Sequence, residues 1–350
     1  MIQGREYLPG DEVEIVRLLQ KVFPHWQTQV DPLTYWRCKY PASKSRTYVS
    51  EVDGKLIFSV SYVACRVKIG ERSYAASFGD DLVTHPDYRG MGATKSVNGL
   101  RDSWEKEIGL VLSYVITTNP IVVESARRTN AKELPYRINH MIRIKDVNQY
   151  IKKRKLNPTL LSPGLSLLKT VSNIGAKHID HKRDFDVAER PFSEAINSFW
   201  EKARVQFDFV IEKDLGQLSW RYQHGLGDYV VFQATKGKEI LGYIVLENKR
   251  EGDYVEGFIT DLIMLPGRND VAVALVDEAV KYFNNESVNA IHYRCVNGHP
   301  HQELLKSFGF MAPPKAIDMY MILYYKDPRL HEPLINAKPS RLYFSYGDYL

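Results

Sequence analysis

Asp80-Asp81-Leu82-Val83-Thr84-His85-Pro86-Asp87-Tyr88-Arg89-Gly90-Met91-Gly92-Ala93-Thr94 is the stretch on which the reading of this chain turns. A strand-like run ends in two acids, a His-Pro turn follows, and a Gly-x-Gly opens a helix. Glycine lets backbone N–H groups approach an anion closely, and the positive end of the helix dipole stabilises the charge. Pro86 stops the strand, and Arg89 adds a forked cation beside the loop. Thr94 and Lys95 place a hydroxyl and an ammonium in the first helical turn. The stretch reads as a pyrophosphate cradle. It is not a Walker loop, because Gly-Lys-Ser/Thr is missing, and it lacks the third glycine of a dinucleotide fingerprint.

At 350 residues the chain suits two domains, and 44% apolar with 25% charged residues is ordinary globular composition. The net charge of +5 suits an anionic cofactor and does not call for nucleic acid. Cys38, Cys65 and Cys295 have no metal-ligand spacing and no disulfide pattern, which predicts a reducing, cytoplasmic setting and no metal. No apolar run reaches membrane-span length, and the N-terminus has no signal-peptide pattern. The oligomeric state stays open.

Five blocks recur in order at an offset of about 180 residues. Leu33-Thr34-Tyr35-Trp36-Arg37 returns as Leu218-Ser219-Trp220-Arg221-Tyr222. The hairpin Tyr48–Ile57 returns as Tyr229–Ile240. Asp81-Leu82-Val83 with Pro86 returns as Asp261-Leu262-Ile263 with Pro266. Val111–Val115 returns as Ala290–Arg294, and Asn119-Pro120 as Asn297-Gly298-His299-Pro300. Each copy reads helix, hairpin, acid-ended strand, helix, strand, short helix, strand. Val13–Val22 and Ala93–Ile108 are the expected helices of the first copy, Ser193–Val205 and Asp270–Phe283 those of the second. In the last of these, Ala272, Leu275, Val276 and Ala279 form the buried stripe. The alternation predicts an α/β fold with mixed sheets and helices on their faces.

Between the copies, Asp146–Asp184 carries the basic run Lys152–Lys155 and a helix-like Leu165–Ile174; the run reads as a solvated helix end. The tail, Pro328–Leu350, is aromatic enough to pack, and a cleft between the copies is the expected place. His85 reads as an exposed turn residue, and His299 and His301 as loop residues.

Val83-x-x-Pro86-x-x-Arg89-Gly90-x-Gly92 resembles motif A of the GNAT acyltransferases. The resemblance implies a fold of two tandem GNAT-like domains, residues 1–145 and 185–327, with connector 146–184 and tail 328–350. It implies acetyl-CoA or another acyl-CoA as co-substrate, with the pyrophosphate on the backbone N–H groups of Met91, Gly92, Ala93 and Thr94, and Arg89 and Gly90 as further cofactor-binding residues of the loop. It also implies the pantetheine arm on Leu82 and Val83. The family loop carries Gly or Ala where this chain has Thr94. The second copy has Leu265-Pro266-Gly267-Arg268-Asn269-Asp270 there, with one glycine and a carboxylate that caps the helix and repels a phosphate. Copy one is therefore the expected cofactor domain.

Acyl transfer to an amine needs a base, a stabilised oxyanion and a protonated or tolerated thiolate. Asp81 or Asp80 is the candidate base, and alternation along a strand lets only one of them face the cleft. Asn119 reads as a pantetheine contact or as a helix cap. The family's tyrosine acid lies four residues before its Gly-Phe, but Ala126 and Leu305 stand at the matching positions. Tyr114, Tyr136 or a tail tyrosine then remains as donor, unless none is needed. The expected activity is N-acetyltransfer to a small-molecule primary amine. The layout resembles GNAT proteins found with polysaccharide-assembly genes, which implies an amino sugar as acceptor. The rival readings are a Fem-type aminoacyl or peptidyl transferase and a non-catalytic acyl-CoA sensor.

Overall fold

A computed structural model describes residues 1–23, 26, 30–129, 131–155, 183–223, 225–313 and 317–349. The first half contains β1 (Gln3–Glu6), α1 (Asp11–Val22), α2 (Pro32–Lys39), β2 (Ser45–Val52), β3 (Lys55–Ile69) and β4 (Arg72–Thr84). It continues with α3 (Ala93–Glu107), β5 (Leu112–Thr117), α4 (Pro120–Arg127), β6 (Lys132–Glu133), β7 (Ile138–Ile144) and α5 (Val147–Lys153). The second half contains β8 (Asp186–Glu189), α6 (Ala195–Ala203), β9 (Phe209–Ile211), α7 (Leu215–Arg221), β10 (Tyr229–Lys236) and β11 (Glu239–Glu251). Then come β12 (Tyr254–Met264), α8 (Asn269–Asn285), β13 (Ala290–Val296), α9 (His301–Ser307), β14 (Tyr320–Tyr325) and α10 (His331–Ile335). The basic run Lys152–Lys155 closes α5 and the turn after it. The helix expected over Leu165–Ile174 lies outside the described residues.

Local chemistry explains most of these elements. Ile15, Val16, Leu18 and Leu19 form the buried stripe of α1. Pro32 starts α2 while Asp31 caps it by accepting from the Thr34 N–H. The β2–β3 turn puts Asp53 and Gly54 at positive φ, 50° and 76°. In α8 the stripe expected from periodicity is buried, with Phe283 added at its end.

Two mixed sheets result. One has the order β1-β2-β3-β4-β5-β14-β6, with β9 added along the end of β3; the other has the order β7-β13-β12-β11-β10-β8. The halves exchange their last strands. β7 runs antiparallel to β13 of the second sheet, and β14 runs antiparallel to β5 of the first. Residues 138–144, placed in the first domain by the sequence boundaries, thus belong to the second sheet, and residues 320–325 to the first. Period-two patterning marks a strand and its buried face but not which sheet receives it. One core accordingly spans both halves: Phe78, Leu112 and Tyr114 pack with Phe209, Ile211, Met321, Leu342 and Phe344.

Both sheets open in the same way. β4 and β5 are parallel and pair only at Ala76/Leu112, Ser77/Ser113 and Phe78/Tyr114 before they part. β12 and β13 pair only at Glu256/Ala290, Gly257/Ile291 and Phe258/His292. Each splay lies beside a bulge, at Ser59/Ser61 against β4 and at Val245/Leu246 against β12.

Candidate active site

The cradle sits where β4 delivers the chain to α3. Gly90 and Gly92 have φ of +78° and +89°, and a Cβ at either would meet nothing within 4 Å, so backbone conformation and not crowding requires glycine. Gly92 is the residue before the helix, and no side chain caps α3. The first-turn N–H groups thus face outward without a side-chain acceptor, the arrangement an anion completes. Arg89, Met91 and Thr94 are exposed around the loop, while Ala93 turns its methyl into the core beside Val97. Asn119 stands at the corresponding end of β5, where its Oδ1 accepts from the Ile121 N–H at 3.0 Å; the helix-cap role is the one observed.

The matching corner of the second half is built differently. Arg268, not Asp270, stands at the helix start, and Asp270 turns back to pair with it at 2.7 Å. The expected cap is therefore an ion pair with the preceding arginine. The second splay is filled by the chain's own tail. The Tyr343 hydroxyl accepts from the Leu262 N–H at 2.9 Å and donates to Asp261 Oδ1 at 2.5 Å. Lys213 lies 3.2 Å from Asp261 and also pairs with Asp348. Leu82 is 45% exposed, whereas its counterpart Leu262 is fully buried. Tyr343→Phe should strand buried partners on Asp261 and Leu262 and destabilise the protein by about 1–3 kcal/mol, measured by urea unfolding.

Asp80 and Asp81 depart from strand alternation. Asp81 has φ of +46° at the bulge, so both carboxylates turn to one side. Lys39 lies 2.7 Å from Asp80 and 3.2 Å from Asp81. The Tyr40 hydroxyl lies 2.7 Å from Asp81 and 3.1 Å from Asp80, and the Trp26 indole donates to Asp81 at 3.1 Å. The expectation that only one acid faces this side is corrected by the bulge. Burial pushes the Asp81 carboxyl up; Lys39 pulls it down and Asp80 pushes it up again, leaving it above its ordinary range. Burial acts against the Lys39 ammonium too, but the two carboxylates outweigh it and hold it charged.

The two acids still differ. A cavity of about 30 Å³ lies beneath the first splay, lined by Lys39, Cys65, Phe78, Asp80, Tyr114 and Ile211, and closed by Trp220, Arg221 and tail residues Gly347–Tyr349. Asp80 borders it and Asp81 does not. Tyr114, 2% exposed, borders it as well, and burial next to Cys65 and Asp348 keeps its phenol protonated well above the usual tyrosine range. Tail residues Gly347–Tyr349 thus form part of the cavity wall.

Lys39, Tyr40 and Trp26 escape a motif-based reading, as do Trp220 and Arg221. The only signal is that Lys39 and Tyr40 come one residue after the repeated block Leu33–Arg37, and Trp220 and Arg221 lie inside its second copy. Three histidines, His85 read as an exposed turn residue and His299 and His301 read as loop residues, are buried. His85, 6% exposed, places its Nε2 2.7 Å from Lys21 Nζ. His301 opens α9 with its Nδ1 2.6 Å from the Tyr293 hydroxyl, and His299 packs its ring against Tyr343. Helix α1 reaches His85 through Lys21, and the tail residue Tyr343 packs on His299 and His301, which local sequence does not show. Among the described residues, no group of three or more His, Cys, Asp or Glu is placed to hold a metal, and no helix is long and apolar enough to cross a membrane.

Residues 4–119 match the family model of the acetyltransferase (GNAT) domain. A search of curated proteins finds no sequence match. Among solved structures, a probable N-acyltransferase from Enterococcus faecalis V583 aligns with 93% of this chain and 73% of its own, at TM-score 0.64 and 12% identity. N-myristoyltransferase of Saccharomyces cerevisiae with bound myristoyl-CoA aligns with 97% of this chain and 83% of its own, at TM-score 0.63 and 8% identity. A tandem GNAT protein from the clavulanic acid biosynthesis pathway aligns with 94% of this chain and 99% of its own, at TM-score 0.58 and 11% identity. At such identities the likeness is one of fold. Residues 4–119 thus match a GNAT acetyltransferase domain, and across its length the chain shares its two-sheet fold with these structures, a tandem GNAT protein among them.

Proposed function

We propose that the protein is an acyl-CoA-dependent N-acyltransferase that carries a short acyl group, acetyl above all, to a primary amine. The observation that carries this reading is the contrast between the two splays. The first has an uncapped Gly-x-Gly cradle and the exposed Leu82; in the second, Tyr343 bonds the Leu262 N–H and an Arg–Asp pair occupies the loop. The cofactor accordingly belongs to the first half.

In this reading the pyrophosphate lies on the N–H groups of Met91 to Thr94 beside Arg89, Gly90 and Gly92, with Ala93 seating the helix start. The pantetheine arm follows Leu82 and Val83 toward the cavity, and Asn119 flanks its path. The amine nitrogen attacks the thioester carbonyl carbon, forming C–N as C–S breaks. Asp80 takes the proton that nitrogen loses; Tyr114 donates a hydrogen bond to the departing sulfur or to the carbonyl oxygen. Lys39 and Asp81 hold Asp80 in place. A cavity of about 30 Å³ has room for about two water-sized groups, which fits a two-carbon acyl unit and not a long chain.

Calorimetric titration with acetyl-CoA, hexanoyl-CoA and myristoyl-CoA tests this, followed by thiol release across a panel of amines that includes amino sugars. Acetyl-CoA should bind and turn over with at least one amine, and affinity should fall as the chain lengthens. Absence of acyl-CoA binding ends the reading; binding without thiol release would favour an acyl-CoA sensor.

A further inference from the structure

Helix α2 borders a second cleft that plays no part in the chemistry above. It measures about 380 Å³ and is lined by Glu6, Tyr7, Trp36, Arg37, Tyr40 and Arg46, together with smaller residues both apolar and polar. That volume is in the range of small-molecule sites. Three rings form its wall, with Tyr7 and Trp36 centred 5.3 Å apart and Trp36 and Tyr40 5.5 Å apart.

Two polar groups there lack the partners that burial and charge call for. Trp36 is 2% exposed, and its indole Nε1–H has no hydrogen-bond acceptor. Leaving such a donor unpaired costs about 1–3 kcal/mol, so buried donors are normally satisfied. Arg46 is held by the carbonyl oxygens of Ala42 and Ser45, which are neutral, and no carboxylate among the described residues pairs with it. The other charges are accounted for. Arg37 lies 2.7 Å from Glu12, which also accepts from the Tyr7 hydroxyl at 2.8 Å and the Gly10 N–H at 2.7 Å. Burial pushes the Glu12 carboxyl up, but these donors outweigh it and hold it at about 2. Glu6 is exposed at the rim, where water and salt screen its charge.

We propose that this cleft is a ligand site for a small carboxylate with a planar apolar body. The ring packs on Tyr7, Trp36 and Tyr40, and the carboxylate accepts from Trp36 Nε1–H and pairs with Arg46. The Tyr40 hydroxyl is the one that touches Asp80 and Asp81, so a ligand pressing on that ring acts on the acid pair. The site stands on its own contacts and does not depend on the acyltransferase reading.

The test is nuclear magnetic resonance of the full chain with 15N-labelled indoles. Five tryptophans give five N–H signals, and Trp36→Phe identifies its own. Phenylacetate at millimolar concentration should move the Trp36 signal saturably and leave it downfield, while benzylamine should not. Arg46→Gln, which leaves the aromatic wall intact, should weaken phenylacetate binding about tenfold, as loss of a charge-assisted contact does. A Trp36 signal that stays still in the folded protein overturns the proposal. So does an equal response to benzylamine, or an Arg46→Gln variant that binds as the parent does. Acetyl-CoA added to the same samples reads the first site separately.

Discussion

Gly92→Asp should weaken acetyl-CoA binding about 100- to 1000-fold while leaving the protein folded. Gly92 has φ of +89°, and aspartate is among the few side chains that tolerate that region. A Cβ there meets nothing within 4 Å, so the substitution adds charge without a clash. The new carboxylate would stand before the first turn of α3, where the pyrophosphate is proposed to bind. Two unit charges about 4 Å apart near a protein surface repel by about 4 kcal/mol, and 1.4 kcal/mol is tenfold in affinity. The carboxylate would also cap α3 itself, taking N–H groups from the cofactor while supporting the helix. Thermal unfolding should therefore change little as calorimetric affinity collapses. Unchanged affinity in a folded variant would move the cofactor away from this loop.

Asp80→Asn should lower kcat about 10²- to 10⁴-fold, the usual contribution of a general base, with acetyl-CoA affinity kept. The amide keeps the size of the side chain but not its ability to take a proton. Asp81→Asn is the informative contrast. Asp81 is held by Trp26, Tyr40 and Lys39 and does not border the cavity. Its loss should appear as about 1–3 kcal/mol of stability in urea unfolding, with turnover by the folded fraction largely kept. Full activity in Asp80→Asn together with loss of turnover in a folded Asp81→Asn would reverse the two roles. Lys39 ties the acids together, so the comparison belongs at a pH where both variants are folded.

Much of the fold is legible in local sequence. Helix α8 announces itself through Ala272, Leu275, Val276 and Ala279, and the β2–β3 hairpin through Asp53-Gly54. The cradle is legible because Gly90 and Gly92 supply backbone angles that few other residues adopt. The acid pair was legible as chemistry but not as geometry, since strand alternation predicts opposed side chains and the bulge at Asp81 brings them together. The burial of His85, His299 and His301 escapes the sequence for a related reason: it comes from elements distant in sequence, and nothing in their neighbours signals it.

The sequence by itself determined that the chain holds two copies of one unit, and that only the first keeps a Gly-x-Gly loop before its helix. Both follow from short-range physics: hydrophobic period, turn chemistry, and the charge of a residue at a helix start. Tertiary structure alone decided that β7 and β14 change sheets, because either sheet offers an equivalent edge. It alone decided that Tyr343 enters the second splay and that Gly347–Tyr349 close the cavity under the first. These contacts join residues far apart in sequence, from 81 positions for Leu262 and Tyr343 to more than 200 for β5 and β14, and their free energy lies in desolvation and packing of surfaces that exist only once both sheets have formed.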